Sequence, residues 1–175
     1  TLASRPYDLP PLRLDHILRM SDSTGIFQHA HYNVPDFHEG YCTDDNARAF
    51  ILCNLLEELG GKPPGQDLDG LATAHLAFLS AAVNRETGRF RNFMSHGRQW
   101  LEEAGSEDSH GRALWALGNG AGRSRNEGRR RLSAQLFERG LPVVETFVSP
   151  RAWAFTLLGI HEYLRWYPDS VAAKS

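Results

Sequence analysis

Two pairs of adjacent carboxylates are the residues most able to do chemistry here: Asp44-Asp45 in "HEGYCTDDNARAF" and Glu107-Asp108 in "EDSHGRALWALG". Each pair opens an apolar run with helical spacing. Asp at a helix start is a good N-cap, because its oxygen accepts orphan amide hydrogens and its charge meets the positive helix end. One acid suffices for that, so each pair leaves a carboxylate over. Two close carboxylates repel, and one proton affinity rises, as acid–base catalysis needs. Glycoside hydrolysis uses one protonated and one ionised carboxyl group. Helix starts packed ~8–10 Å apart would bring Asp44 and Asp108 within the separations glycosidases use. Catalysis or sugar binding is one reading of these acids; plain capping is the other. Arg48 and Arg112 follow the two pairs at equal spacing, and Arg151 opens a third such run. Salt bridges to the preceding acids are their expected use, and contacts to sugar hydroxyls the alternative.

The loop "FQHAHYNVPDFHEGY" gathers His29, His31, Tyr32, Phe37, His38 and Tyr41. Aromatic faces stack on sugar rings, and His and Tyr donate to hydroxyls, which suits the mouth of a glycan site; a packed loop is the competing reading. His29, His31, His38 and Cys42 match no standard closed zinc spacing, so no metal is expected, and nothing calls for a cofactor. Among the tryptophans, Trp153 is the best sugar platform, while Trp100, Trp115 and Trp166 read as packing. No G-x-S-x-G occurs. "GNGAG" (118–122) follows a helix rather than a strand and reads as a helix stop, not a phosphate loop.

The elements that must position these residues are helices. Apolar spacing predicts them at 12–20, 45–59, 69–84, 109–117, 129–139 and 150–166, with Gly60-Gly61, Gly118, Gly120 and Gly140 as stops. No strand alternation stands out; "LPVVETFV" (141–148) is short and could be extended. An internal repeat organises the chain. "TGIFQH" (24–29) resembles "TGRFRN" (87–92), "DDNARA" (44–49) resembles "DSHGRA" (108–113), and "SPRAWAF" (149–155) supplies a third Arg-Ala helix start. The reading is all-α, one helical domain over 1–175, six helices in three outer/inner pairs. Small residues such as Ala47, Ala49, Ala113, Ala116, Ala152 and Ala154 mark the inner helices, whose leading loops converge at one end.

Composition sets limits. The chain of 175 residues is 41% hydrophobic and 23% charged, with formal net charge −2, so no broad basic field invites nucleic acid. The one basic run, Arg123, Arg125, Arg129, Arg130 and Arg131, reads as a solvated loop and helix start, or else an anion contact. No apolar run is long enough for a membrane span. Two cysteines make no disulfide framework, no signal-peptide pattern is seen, and a reducing, cytoplasmic setting is expected. The Thr1 start suggests processing or a piece of a longer protein.

"DHILRMSDSTGIFQHAHYNVPDFHEGYCTDDNARA", "EDSHGRALWALG" and "SPRAWAFTLLG" resemble the helical domain that accompanies family 4-type glycosyltransferase domains in bacterial proteins labelled glycosyltransferases or mannosyltransferases. That helical part is similar to the six-hairpin glycosidase superfamily, whose fold is an (α/α)6 toroid. The resemblance implies half such a ring here, the N-terminal half, since six helices stand where twelve belong. No nucleotide-sugar-binding α/β pattern accompanies it. The implied function is a carbohydrate-active domain processing a bacterial oligosaccharide through inverting hydrolysis, with Asp44 or Asp45 as one carboxyl and Asp108 or Glu107 as the other. The alternative is a non-catalytic glycan-binding or structural, dimerising module of a glycosyltransferase. A half ring would expose inner-helix surface, so a missing C-terminal half or a homo-oligomer is the expected protein partner. The superfamily hosts several chemistries, so fold alone does not choose among them.

Overall fold

The computed structural model describes residues 12–60, 67–171 and 173. In order it runs α1 (Asp15–Arg19), β1 (Ala30–His31), β2 (Val34–Pro35), β3 (Tyr41–Cys42), α2 (Thr43–Leu59), α3 (Leu68–Ala82), β4 (Phe93–Met94), α4 (Glu107–Arg123), α5 (Glu127–Gly140) and α6 (Pro150–Leu164). The chain is mostly helical, as the spacing predicts. Its strands are two-residue ties in the loops: β1 pairs antiparallel with β2, and β3 with β4. The second tie joins the loop before α2 to the loop before α4, so both helix starts share one support. The proposed Gly61 stop lies outside the described residues; Gly60 ends α2 in the left-handed region, φ 68°, and its amide bonds back to Glu57 and Leu56.

The helices lie in two layers. α2, α4 and α6 pack side by side with α4 in the middle, α3 backs α2, and α5 backs α4. The core between them includes Phe50, Leu79, Phe90, Leu114, Leu117 and Phe137, all fully buried. A smaller cluster of Met20, Phe27, Tyr41, Phe78 and Met94 lies under the loops. Both Thr-Gly-x-Phe turns dock on the first turn of an inner helix, with donors one residue apart in register. The Ile26 amide donates to Asn46 Oδ1 at 3.1 Å, and the Phe90 amide to His110 Nδ1 at 3.3 Å. Asn46 and His110 each stand four residues past their helix N-cap, so the sequence repeat is a structural one.

Three expectations fail for identifiable reasons. Gly118 and Gly120 do not stop a helix: α4 runs through both to Arg123. The glycines serve close approach. A Cβ on Gly111 would lie 2.6 Å from Ala152 O, one on Gly118 2.1 Å from Gly159 O, and one on Gly122 2.0 Å from Glu162 O. Gly159 reciprocates, its Cβ falling 2.6 Å from Leu114 O. One glycine-lined face thus lets α4 and α6 meet backbone to backbone. Segment Leu141–Thr146 is a 3-10 helix rather than extended chain, continuing the αR geometry of the α5 end through Pro142. The basic run is solvated only in part: Arg125 and Arg131 are exposed, whereas Arg123 and Arg129 are spent on ion pairs. Arg129 is buried and pairs with Glu57 and with Asp69, while Arg123 pairs with Glu162 at 2.6 Å and with Glu58. These pairs clamp the far ends of α2, α4 and α6, at the opposite pole from the acid-bearing helix starts.

Gly118→Ala tests the packing account. Alanine is the better helix former by about 1 kcal/mol, yet overpacking against backbone costs typically about 1–3 kcal/mol. The expected net effect is a loss of up to about 2 kcal/mol in urea unfolding, whereas Gly128→Ala, on exposed chain near the start of α5, should gain up to about 1 kcal/mol.

Candidate functional site

The starts of α2, α4 and α6 meet at one end of the inner layer, and their N-caps are not the acids. Cys42 caps α2, its sulfur accepting the Asp45 amide at 3.4 Å; Ser106 caps α4 through the Ser109 amide at 3.1 Å; Ser149 caps α6 through the Ala152 amide at 3.3 Å. Asp44, Asp108 and Arg151 are each the second residue past the cap, in equivalent positions. The four acids are therefore free of capping, and the expectation that one of each pair caps its helix is corrected.

Arginine takes them up instead. Asp44 forms ion pairs with Arg48 on its own helix and with Arg112 reaching over from α4. Asp45 meets Arg48 at 3.2 Å and accepts the Cys42 thiol proton at 3.0 Å. Asp108 accepts from Ser149 Oγ at 2.8 Å and from Arg151 Nε at 2.5 Å, tying α4 to α6. Glu107 turns away to accept the Val148 and Ser149 amides at 2.9 and 2.7 Å, holding the approach to α6. Arg112 and Arg151 thus each reach back to an acid of the preceding inner helix, whereas Arg48 pairs with the acids just before it on its own helix, as expected. The result is an alternating row, Arg48–Asp44–Arg112 and Asp108–Arg151. Asp44 and Asp108 keep about a quarter of their side chains open to solvent, Arg48 54% and Arg151 72%.

The electrostatics follow. Hydrogen bonds from Arg151 and then Ser149 hold the Asp108 carboxyl below the usual carboxylate range, so it is ionised at neutral pH. Arg112 also lies over the Phe155 ring at 4.3 Å, which fixes its plane between α4 and α6.

The aromatic loop divides. Tyr41 is buried, and its hydroxyl donates to Asp22 Oδ2 at 2.7 Å; burial, then that bond, pushes its pKa up to about 12. It is a core residue, which corrects its place among the sugar contacts. Tyr32 stands fully exposed at the tip of the β1–β2 hairpin with φ 59°, a strained value for a bulky residue. His31 meets Asp36 at 3.0 Å, and His29 and His38 are exposed. Phe37 stacks flat on His96, centroids 4.8 Å apart, over Phe27. Trp153 is not at the acid row. It lines an apolar groove of about 390 Å³ between α6 and the 3-10 segment, with Leu141, Pro142, Val144, Leu157 and Ile160. Sequence reasoning missed His96 and Asn92. Asn92 receives the Thr43 amide on its carbonyl at 2.8 Å and the Asp44 amide on its side chain at 3.3 Å, orienting the start of α2. Its position two residues past the Phe of the second Thr-Gly-x-Phe turn was the available signal. Among the described residues, no three His, Cys, Asp or Glu side chains converge so as to hold a metal ion, and no helix is long and apolar enough to cross a membrane.

Compared with family models, curated proteins and solved structures, the chain gives no match.

Two buried histidines hold the turns beneath this site. His75 Nδ1 donates to Asn46 Oδ1 at 2.9 Å, and Asn46 Nδ2 donates to the carbonyl of the cap residue Cys42 at 2.8 Å. His110 accepts the Phe90 amide on Nδ1, so its Nε2 carries the proton and donates to Gly140 O at 3.0 Å. Burial lowers both histidine pKa values to about 4 from 6.5. The unfolded chain then binds more protons than the folded one between those values, so stability falls as pH drops below 6.5 and keeps falling to about 4. Each histidine accounts for about 3 kcal/mol over that window. Asp108 acts lower: its contribution is present above its unfolded value of 3.8 and is lost below it. Urea midpoints at a series of pH values between neutrality and 4 should show the fall, and His110→Asn should flatten it while lowering the neutral-pH midpoint.

Proposed function

We propose that this chain is a carbohydrate-recognising helical domain, and that the acid–arginine row at the starts of α2, α4 and α6 receives an oligosaccharide. The observation that carries this reading is the row itself: partly exposed carboxylates, held in plane by arginines, with acceptor lone pairs left for sugar hydroxyls. The exposed Tyr32, Phe37 and His38 of the neighbouring loop offer aromatic and hydrogen-bonding surface. The resemblance to glycosyltransferase-associated six-hairpin proteins points the same way, and the inner layer of α2, α4 and α6 backed by α3 and α5 is compatible with half of an (α/α)6 toroid. Within this reading, binding is favoured over hydrolysis at Asp108, because an aspartate held ionised by Arg151 has no proton to give a leaving group. Hydrolysis is the second reading, and Asp45 carries it: its closest partners are a thiol at 3.0 Å and one arginine at 3.2 Å, which leaves it the least committed acid of the row.

The test is a panel of mannose-, glucose- and galactose-based oligosaccharides, read by thermal shift and by mass spectrometry of products. The expected outcome is a ligand-dependent stabilisation without new products. Asp44→Asn and Asp108→Asn should each weaken binding about tenfold or more, as for a charged hydrogen bond worth about 1.5–3 kcal/mol. Products made by the parent and absent from Asp45→Asn would move the assignment to catalysis. Neither shift nor products would remove the carbohydrate reading.

A further inference from the structure

The acid–arginine row ends on α6 in an aromatic group. Six residues past the N-cap, α2 carries Arg48, α4 carries Arg112 and α6 carries Phe155. The Arg112 guanidinium pairs with Asp44 of α2 and lies over the Phe155 ring of α6, its carbon 4.3 Å from the centroid. One turn further along α4, Trp115 lies nearly parallel to Phe155, at 8° with centroids 5.9 Å apart. Arg112, Phe155 and Trp115 are all partly exposed. Asp44, Arg112, Phe155 and Trp115 thus form one unbroken path of contacts, from a carboxylate of the row to two aromatic rings across the α4–α6 seam. Trp115 reads as packing in the sequence, and it is the tryptophan that this path reaches.

The row is also balanced in charge. Arg48, Arg112 and Arg151 meet Asp44, Asp45 and Asp108, and each guanidinium already holds a carboxylate of the row. Glu107 stands beside them as a fourth acid and accepts two backbone amides. A ligand carboxylate or phosphate would have to displace an aspartate from its arginine, or lie unpaired beside the aspartates. Like charges set side by side cost affinity. Hydroxyl groups meet no such penalty. They donate to the open lone pairs of the aspartates and accept from the guanidinium N–H groups that the ion pairs leave free.

We propose that the row selects an uncharged sugar, a neutral hexopyranose residue of an oligosaccharide, which stacks on Trp115 and Phe155 and sets its hydroxyls on Asp44 and Asp108. This inference deepens the carbohydrate reading and rests on it. The face of an aromatic ring carries the negative pole of its quadrupole, and the C–H hydrogens of a sugar ring are the positive groups that meet it. The Arg112 cation over Phe155 ties that ring to Asp44 through one side chain, so acceptor and aromatic surface keep a fixed spacing. Uronic acids and sugar phosphates are rejected by charge rather than by size, because the row has no arginine without its own aspartate.

The test is calorimetric titration of the full chain with mannose-, glucose- and galactose-based oligosaccharides, each beside the uronic-acid oligomer of the same sugar. A neutral chain is expected to bind at least about tenfold more tightly than its uronate counterpart. Trp115→Leu should weaken that binding about tenfold, and Trp115→Phe should bind close to the parent, since phenylalanine keeps a ring. A uronate bound as tightly as its neutral counterpart, or more tightly, would overturn the proposal, and that comparison requires no variant to fold. So would a Trp115→Leu chain, folded by circular dichroism, that binds like the parent or is weakened no more than Trp115→Phe. In each of these cases a sugar still binds, and the wider carbohydrate reading stands. Binding of no sugar of either kind would remove both.

Discussion

The approach of α4 to α6 is the constraint on which the rest depends. With Gly111, Gly118 and Gly122 facing Ala152 and Gly159, the two backbones sit where any side chain larger than hydrogen would collide with a carbonyl oxygen. Close contact of this kind gains dispersion along the whole length of the helices and leaves no void. It also fixes register. Once Gly118 lies against Gly159, Ser106 and Ser149 come level as caps, and Arg151 must arrive beside Asp108.

The acid row is a consequence of that register. Only Asp45 is placed by its own helix alone, through Arg48 and Cys42. Asp44 owes its second arginine to α4, Asp108 owes its arginine and its serine to α6, and Glu107 is spent on amides of the segment before α6. Each pair is partly solvated, so each is worth little to stability by itself. Their effect is positional. They hold carboxylates in fixed planes at a surface where the β3–β4 tie and Asn92 have already set the first turn of α2. A row of aligned carboxylates follows, with Asp108 held ionised by Arg151 and Ser149.

The repeat explains how two turns of similar sequence came to support two helix starts. Asn46 and His110 differ in chemistry yet, from the same place on their helices, each accepts an amide of the Thr-Gly-x-Phe turn, that of Ile26 in one and of Phe90 in the other. In the third unit Trp153 occupies that position, the turn is replaced by a shorter 3-10 segment, and an apolar groove stands where the polar anchor was. Where the acid is also gone, at Arg151, the row ends.

Helix number, helix order, the repeat and the identity of the acids were all readable in the chain itself, because they depend on local spacing of apolar residues and on short-range capping and turn chemistry. Gly60 could be assigned from sequence because a left-handed terminus is a local event. Gly118 could not, because its role is to leave room for a carbonyl forty-one residues away, and in sequence a glycine that ends a helix looks the same as one that admits a neighbour. For the same reason Arg129 read as solvated and proved buried, Tyr41 read as a sugar contact and proved core, and Arg112 was matched to the wrong acids. Burial and ion-pair choice depend on which helices meet, and only the packed tertiary structure decides that.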